Sequence, residues 1–165
     1  MVACKAEMNT PLGVKYRRVI EKEEGSGTTA VRRFTTMACF HCTNPACRAA
    51  CPVNAISKTS DGIVLISQTA CIGCRRCEWA CPYGAPQFNP NTGKVEKCTF
   101  CKHRIDAGWS SGNVAYVACA AICPGKALKG YVDIGLVSGA LEVSGLPSSS
   151  LTNPNVKWIE TAEQA

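Results

Sequence analysis

Apolar residues in this chain fall in short bursts, and the bursts predict short elements. Asp61-Gly62 is a turn signal, and the β-branched run Gly62-Ile63-Val64-Leu65-Ile66 predicts a short strand behind it. Val53-Asn54-Ala55-Ile56 and Ala85-Pro86-Gln87-Phe88 are where returning segments are expected to run. Asn91-Thr92-Gly93 predicts a hairpin turn ahead of Lys94-Val95-Glu96-Lys97. Helices are expected to be few and short, over Arg75 to Ala80 and Lys102 to Ala107. No run reaches the ~18 consecutive apolar residues of a membrane-spanning helix, so no direct membrane insertion is expected. The most apolar tail stretch, VDIGLVSGALEVSG, is broken by glycines. Beyond Gly130 the chain gains Gly, Ser and Pro, and LPSSSLTNPNVKWIE reads as an extended, loop-rich segment that Trp158 is expected to dock.

What stands between the bursts is cysteine. The 165 residues hold 13 Cys, 14 Gly and 9 Pro, a length for one domain or two very small ones with a modest aliphatic core. So many thiols mean a disulfide framework in a secreted protein or a metal framework, and spacing decides between them. Cys39, Cys42, Cys47 and Cys51 form C-x2-C-x4-C-x3-C-P. Cys71, Cys74, Cys77 and Cys81 form C-x2-C-x2-C-x3-C-P. Cys98 and Cys101 form C-x2-C, followed after 17 residues by Cys119 and Cys123 as C-x3-C-P. Each group ends in Cys-Pro, at Pro52, Pro82 and Pro124. An odd total and such close spacing argue against disulfides. The N-terminus lacks the apolar run of a signal peptide, and neither Arg17-Arg18 nor Arg32-Arg33 precedes an export signal's apolar stretch.

The second group is a bacterial ferredoxin run, whose fourth cysteine ligates the other cluster of a two-cluster unit. Three close thiolates on a tight loop take three irons of one cubane. The fourth, displaced by a helical turn that proline then ends, faces away. By this crossed rule Cys39, Cys42 and Cys47 take Cys81, while Cys71, Cys74 and Cys77 take Cys51. Cys98, Cys101 and Cys119 lack a fourth ligand, and Cys4 is the candidate left. Twelve cysteines then make three 4Fe-4S clusters, and Cys123 is left for a fourth. Counting back from Cys4 at the second group's spacing puts that cluster's nearest other ligand one place before Met1, so a fourth cluster is expected only with residues upstream of Met1.

The formal charge of +6 invites nucleic acid, but no basic run with interleaved aromatics accompanies it. Thiolate-bound clusters explain it better: an oxidised four-thiolate cubane carries about −2, so three bring about −6. Arg48, Arg75, Arg76, Lys97, Lys102 and Arg104 lie within a few residues of a cysteine and are expected to offset that charge. Competing chemistries are narrower. A zinc ribbon would use Cys98, Cys101, Cys119 and Cys123, as part of an interaction module. A Rieske site would need His41 and His103 in a spacing that His103 does not meet. His41 reads instead as a loop residue near a cluster. Trp79 and Tyr83 read as residues between clusters or shields against water.

The stretches ACKAEMNTPLGVKYRRV, CFHCTNPACRAACP, CIGCRRCEWACPYGAPQF and KCTFCKHRIDAG together resemble the four-cluster iron–sulfur subunit of the dimethyl sulfoxide reductase family of molybdopterin oxidoreductases, over roughly Ala3 to Ala127. The resemblance implies an α+β fold of tandem bacterial-ferredoxin-like units. It divides the chain into a remnant of the first cluster group and linker (1–38), a central two-cluster unit (39–97), a fourth cysteine group packing with the N-terminal segment (98–130) and a cysteine-free tail (131–165). Some relatives have tryptophan at the position of Cys74 and hold a three-iron cluster; Cys74 implies a full cubane. The implied function is non-catalytic electron transfer between a molybdopterin-containing catalytic subunit and a membrane anchor subunit or soluble redox carrier. The alternative is a free-standing polyferredoxin. The compartment stays open between the cytoplasm and a periplasm reached by co-export with the catalytic subunit.

Overall fold

The computed structural model describes residues 1–111, 114–125 and 128. The tail 131–165, with Trp158, lies outside the described residues. The described part is α+β, built from short helices and two-stranded hairpins. α1 (Val2–Met8) leads to β1 (Arg18–Glu24) and β2 (Val31–Met37). α2 (Ala46–Ala49), β3 (Ile56–Lys58) and β4 (Val64–Ile66) follow, then α3 (Arg76–Ala80), β5 (Gln87–Asn89) and β6 (Lys94–Glu96). α4 (Lys102–Asp106), β7 (Ser110–Ser111), β8 (Val114–Ala115) and α5 (Ala118–Ala121) complete it.

Each described strand pairs antiparallel with its sequence neighbour, which gives four hairpins and no crossover. Two-stranded hairpins are marginal alone in water, so their stability depends on what packs on them. In β3–β4, Ile56 faces Ile66 and Lys58 faces Val64, with Ile56 and Val64 buried. In β5–β6, Phe88 faces Val95, which is fully buried. The turn at Asn91-Thr92-Gly93 forms where expected: Gly93 has φ 67° and donates to Asn89 O at 2.9 Å. The helices at Arg76–Ala80 and Lys102–Asp106 likewise match the sequence pattern within a residue.

The segment expected to be a linker holds the longest hairpin of the described residues. β1 and β2 pair over seven positions, and most of their residues are exposed. Charges across the strands hold it: Arg32 reaches Glu21 and Glu23 at 2.9 Å each, and Arg33 reaches Glu24 at 3.0 Å. Its root is fixed from below, where Arg18 donates to Tyr83 O at 2.7 Å. Just before it, Lys15 and Gln87 exchange two hydrogen bonds, and Tyr16 donates to Glu96 at 2.7 Å.

The apolar interior divides into three small groups, and each contains cysteine. Cys47 and Cys77 join Ile56, Val64 and Val95. Met37, Phe40 and Tyr83 gather with Cys42 and Cys81 against them. Cys101 joins Val117 and Ala118 with Phe100, Ile105 and Cys119 alongside. α2 packs on α3, and α1 packs on α5. The helices that carry Cys47 and Cys77 are therefore neighbours, as are those that carry Cys4 and Cys119.

Candidate metal centres

Each C-x2-C loop bends the same way. His41, Gly73 and Phe100, the residues before the second cysteine, have φ of 46°, 71° and 55°. That left-handed turn folds the backbone N–H back over the first thiol: His41 N–H donates to Cys39 Sγ and Phe100 N–H to Cys98 Sγ, both at 3.4 Å. Cys51 Sγ accepts from Ala55 N–H at 3.3 Å. Such bonds favour the thiolate. Gly73 answers a second demand, because a Cβ there would lie 2.0 Å from Gly93 O.

Two cavities open beneath these loops. The first is walled by Cys39, Cys42, Cys47 and Cys81, with Phe40, Tyr83, Val64, three prolines and Lys97. Cys81 comes from beyond α3, brought there by the packing of α3 on α2. The second is walled by Cys51, Cys71, Cys74 and Cys77, with Val53, Ile72, Arg75 and Val95. In both, three thiols come from one cysteine group and the fourth from the other. A third gathering joins segments far apart in sequence: Cys119 and Cys101 both lie close enough to Cys4 to act on its thiol. Cys98 is acted on by Cys39, and the loops of Cys39 and Cys98 meet where the His41 and Phe100 rings lie with centroids 5.7 Å apart. Cys123 lies half-buried just past α5, its N–H donating to Ala120 O at 3.2 Å.

Burial holds several of these thiols above the ordinary thiol range. Burial first, and then Cys39, push the Cys47 thiol up to about 12. Burial and then Cys71 push Cys77 up to about 11. Burial, then Cys119 and Cys101, raise Cys4. Grouped thiolates repel one another until a cation joins them, so metal entry must release protons. The 13 cysteines are all free thiols. Among the described residues no three His, Cys, Asp or Glu converge on one point as ligands of a single ion do. A cubane presents its irons at separate corners of a cage, so its thiolates ring a cavity instead. Four soft sulfur donors around an apolar cavity fit an iron–sulfur cluster.

The surroundings correct several sequence expectations. Trp79 is 77% exposed and shields no cavity, whereas Tyr83 is 5% exposed and packs on Phe40 with ring centroids 4.4 Å apart and planes tilted by 47°. Three of the expected compensating cations also pair with carboxylates, Arg75 with Glu78 while it lines the second cavity, Lys102 with Asp61 and Asp106, and Arg104 with Glu7. Lys97 is different. It is buried, lines the first cavity, and donates to Val64 O and, at 3.1 Å, to Cys98 O. His41 is buried too, and its Nδ1 accepts from Val64 N–H at 3.0 Å. Burial first, then Lys97, holds its ring neutral well below the usual histidine range. Neither burial could be read from the cysteine spacing, which fixes the loops but not what the β4 strand does to their flanks.

The fold and these thiol-lined cavities define a ferredoxin-like iron–sulfur protein. The 4Fe-4S dicluster domain profile matches residues 30–131, and this chain therefore belongs to that family. It is 49% identical to the B subunit of the tetrathionate reductase of Archaeoglobus fulgidus, over 64% of this chain and 49% of that one. It is 36% identical to the B subunit of the selenate reductase of Mesobacillus selenatarsenatis, over 76% of this chain and 52% of that one. With the B subunit of the anaerobic dimethyl sulfoxide reductase of Escherichia coli it shares 35% identity, over 94% of this chain and 78% of that one. The chain thus spans about half the length of the first two relatives. No described helix is long and apolar enough to cross a membrane.

Proposed function

We propose that this chain is the electron-transfer subunit of a molybdopterin reductase complex and makes no bonds of its own. One cluster is held by Cys39, Cys42, Cys47 and Cys81, a second by Cys71, Cys74, Cys77 and Cys51, and a third by Cys98, Cys101, Cys119 and Cys4. Cys123 is left over from these three sets, a candidate ligand for a fourth. Residues 39–97 form one two-cluster unit. Residues 98–130 pair with the N-terminal segment to form the other. Bound clusters supply one-electron carriers; the chain fixes their spacing, excludes water and sets their potentials. The observation that carries this reading is the composition of the two cavities, each with three thiols of one group and the last thiol of the other.

Relatives named as B subunits of tetrathionate, selenate and dimethyl sulfoxide reductases support a catalytic partner on one side. A membrane anchor or a soluble carrier stands on the other. Cys74 and Ile72 are exposed on the wall of the second cavity and offer a short route to a docked partner. The test is anaerobic purification from the native host with iron, sulfide and molybdenum analysis. The expected result is a brown protein with about four irons per cluster, copurifying with a molybdenum-containing chain. Elution alone would favour a free-standing polyferredoxin, and zinc in place of iron would overturn the reading.

A further inference from the structure

His41 Nε2 is the buried side-chain nitrogen or oxygen that lacks a partner among the described residues. Its ring leaves no freedom about what that atom is. Nδ1 accepts from the Val64 N–H and so carries no proton, which places the proton of the neutral imidazole on Nε2. A buried N–H donor with no acceptor is rare because desolvation is not repaid, so its acceptor is to be sought in a group that completes the site.

The direction is given by the loop. His41 spends its backbone N–H on Cys39 Sγ, and it is absent from the wall of the cavity that Cys39 and Cys42 line. The ring instead meets Phe100 edge-on, with centroids 5.7 Å apart and planes at 77°. Phe100 holds the same position in the loop of Cys98 and Cys101 that His41 holds in its own, and its N–H lies on Cys98 Sγ. The charge of Cys39 also acts on the Cys98 thiol across this junction. The imidazole therefore packs against the neighbouring loop.

We propose that His41 Nε2–H donates a hydrogen bond to a sulfur of the iron–sulfur cluster held at Cys98, Cys101, Cys119 and Cys4, so that a residue of one cysteine loop tunes the cluster of the next. This rests on the ligand assignment proposed above. Reduction makes a cluster more negative and its sulfurs better acceptors, so the bond favours the reduced form and raises the potential. His41 is a positioning and tuning residue and does not ligate iron.

The test uses the full chain with its clusters, labelled with ¹⁵N-histidine and reduced anaerobically. Pulsed electron paramagnetic resonance is read on the signal that Cys101→Ser removes. The expected result is a weak coupling to a histidine nitrogen, together with an exchangeable proton coupling. Both persist in His103→Gln and vanish in His41→Leu. In the same His41→Leu protein the reduction equilibrium of that cluster falls about tenfold, ~59 mV for one electron. No nitrogen coupling in the unmutated protein, a coupling that survives His41→Leu, or a coupling on the signal removed by Cys42→Ser overturns the proposal and leaves the ligand assignment standing. If Cys101→Ser removes no signal, the ligand assignment falls and takes this proposal with it.

Discussion

Arg104 of α4 grips Glu7 of α1 through both carboxylate oxygens, Nε on Oε1 and Nη2 on Oε2, each at 2.5 Å. The two residues are 97 positions apart, and His103 Nε2 adds a contact to Oε1 at 2.7 Å. A bidentate guanidinium–carboxylate pair fixes orientation as well as distance. Here it fixes the helix that carries Cys4 against the loop that carries Cys101.

Glu7→Gln is therefore expected to loosen the third cysteine gathering and leave the two cavities of residues 39–97 intact. The Arg104 hydrogen bonds, then His103, hold the Glu7 carboxyl at about 2, below the usual carboxylate range. A depressed folded-state value contributes stability above the ordinary range near 4.5 and loses it as pH falls toward about 2. Anaerobic urea denaturation checks this: the gap between wild type and Glu7→Gln is largest at neutral pH and narrows once pH drops below about 4.5. A pH-independent gap would mean that the pair acts only as packing.

Lys97 sits where a fixed cation touches two sites, on the wall of the first cavity and hydrogen-bonded to Cys98 O. Replacing it with methionine removes charge and two bonds to carbonyls; replacing it with glutamine removes the charge but keeps a donor. Both variants are expected to lower the potentials of the clusters at Cys39 and Cys98, by on the order of 59 mV for a tenfold change in a one-electron couple. Only Lys97→Met is expected to lose about 1–3 kcal/mol of stability as well, from carbonyls left without a donor. Potentiometric titration separates the first effect, and thermal unfolding the second.

Gly73→Ala tests the loop geometry at a position where its two counterparts tolerate side chains. His41 and Phe100 adopt the same left-handed turn, but only at Gly73 does a backbone oxygen, that of Gly93, occupy the space of a Cβ at 2.0 Å. The change must displace the β5–β6 turn, with an expected cost of about 2–4 kcal/mol. Iron release on mild heating is expected to start at the second cavity, read as early loss of that cluster's signal.

The cysteine spacing made the two mixed cavities legible, and so the short helix over Arg76–Ala80, because ligand geometry dictates local backbone. The same counting assigns Cys4 to the group of Cys101 and Cys119, the two cysteines that act on its thiol. The hairpin of β1 and β2 was not. A strand exposed on both faces carries no alternation of apolar and polar residues, and Arg32 and Arg33 read as a basic pair until their cross-strand glutamates are known. His41 and Lys97 were illegible for a related reason: their burial is imposed by Val64 on β4, through its N–H and its C=O, and no local pattern encodes that contact.

The crossed arrangement makes a prediction that sequence proximity contradicts. Cys51 stands four residues after Cys47, yet it lines the cavity of Cys71, Cys74 and Cys77, and Cys81 lines that of Cys39, Cys42 and Cys47. Cys51→Ser is expected to disturb the cluster that Cys74→Ser also disturbs, and Cys81→Ser the one that Cys42→Ser disturbs. Weak ligation by serine oxygen shifts a cluster's potential and spectrum or sheds one iron, so each variant labels its own cluster in redox-resolved electron paramagnetic resonance. Pairing the four single variants by the signal they alter gives the connectivity without a crystal. Cys4→Ser extends the series, with its effect expected on the signal of Cys101. If Cys51→Ser and Cys42→Ser were instead to alter the same signal, each group would hold its own cluster, and the packing of α2 on α3 would serve stability alone.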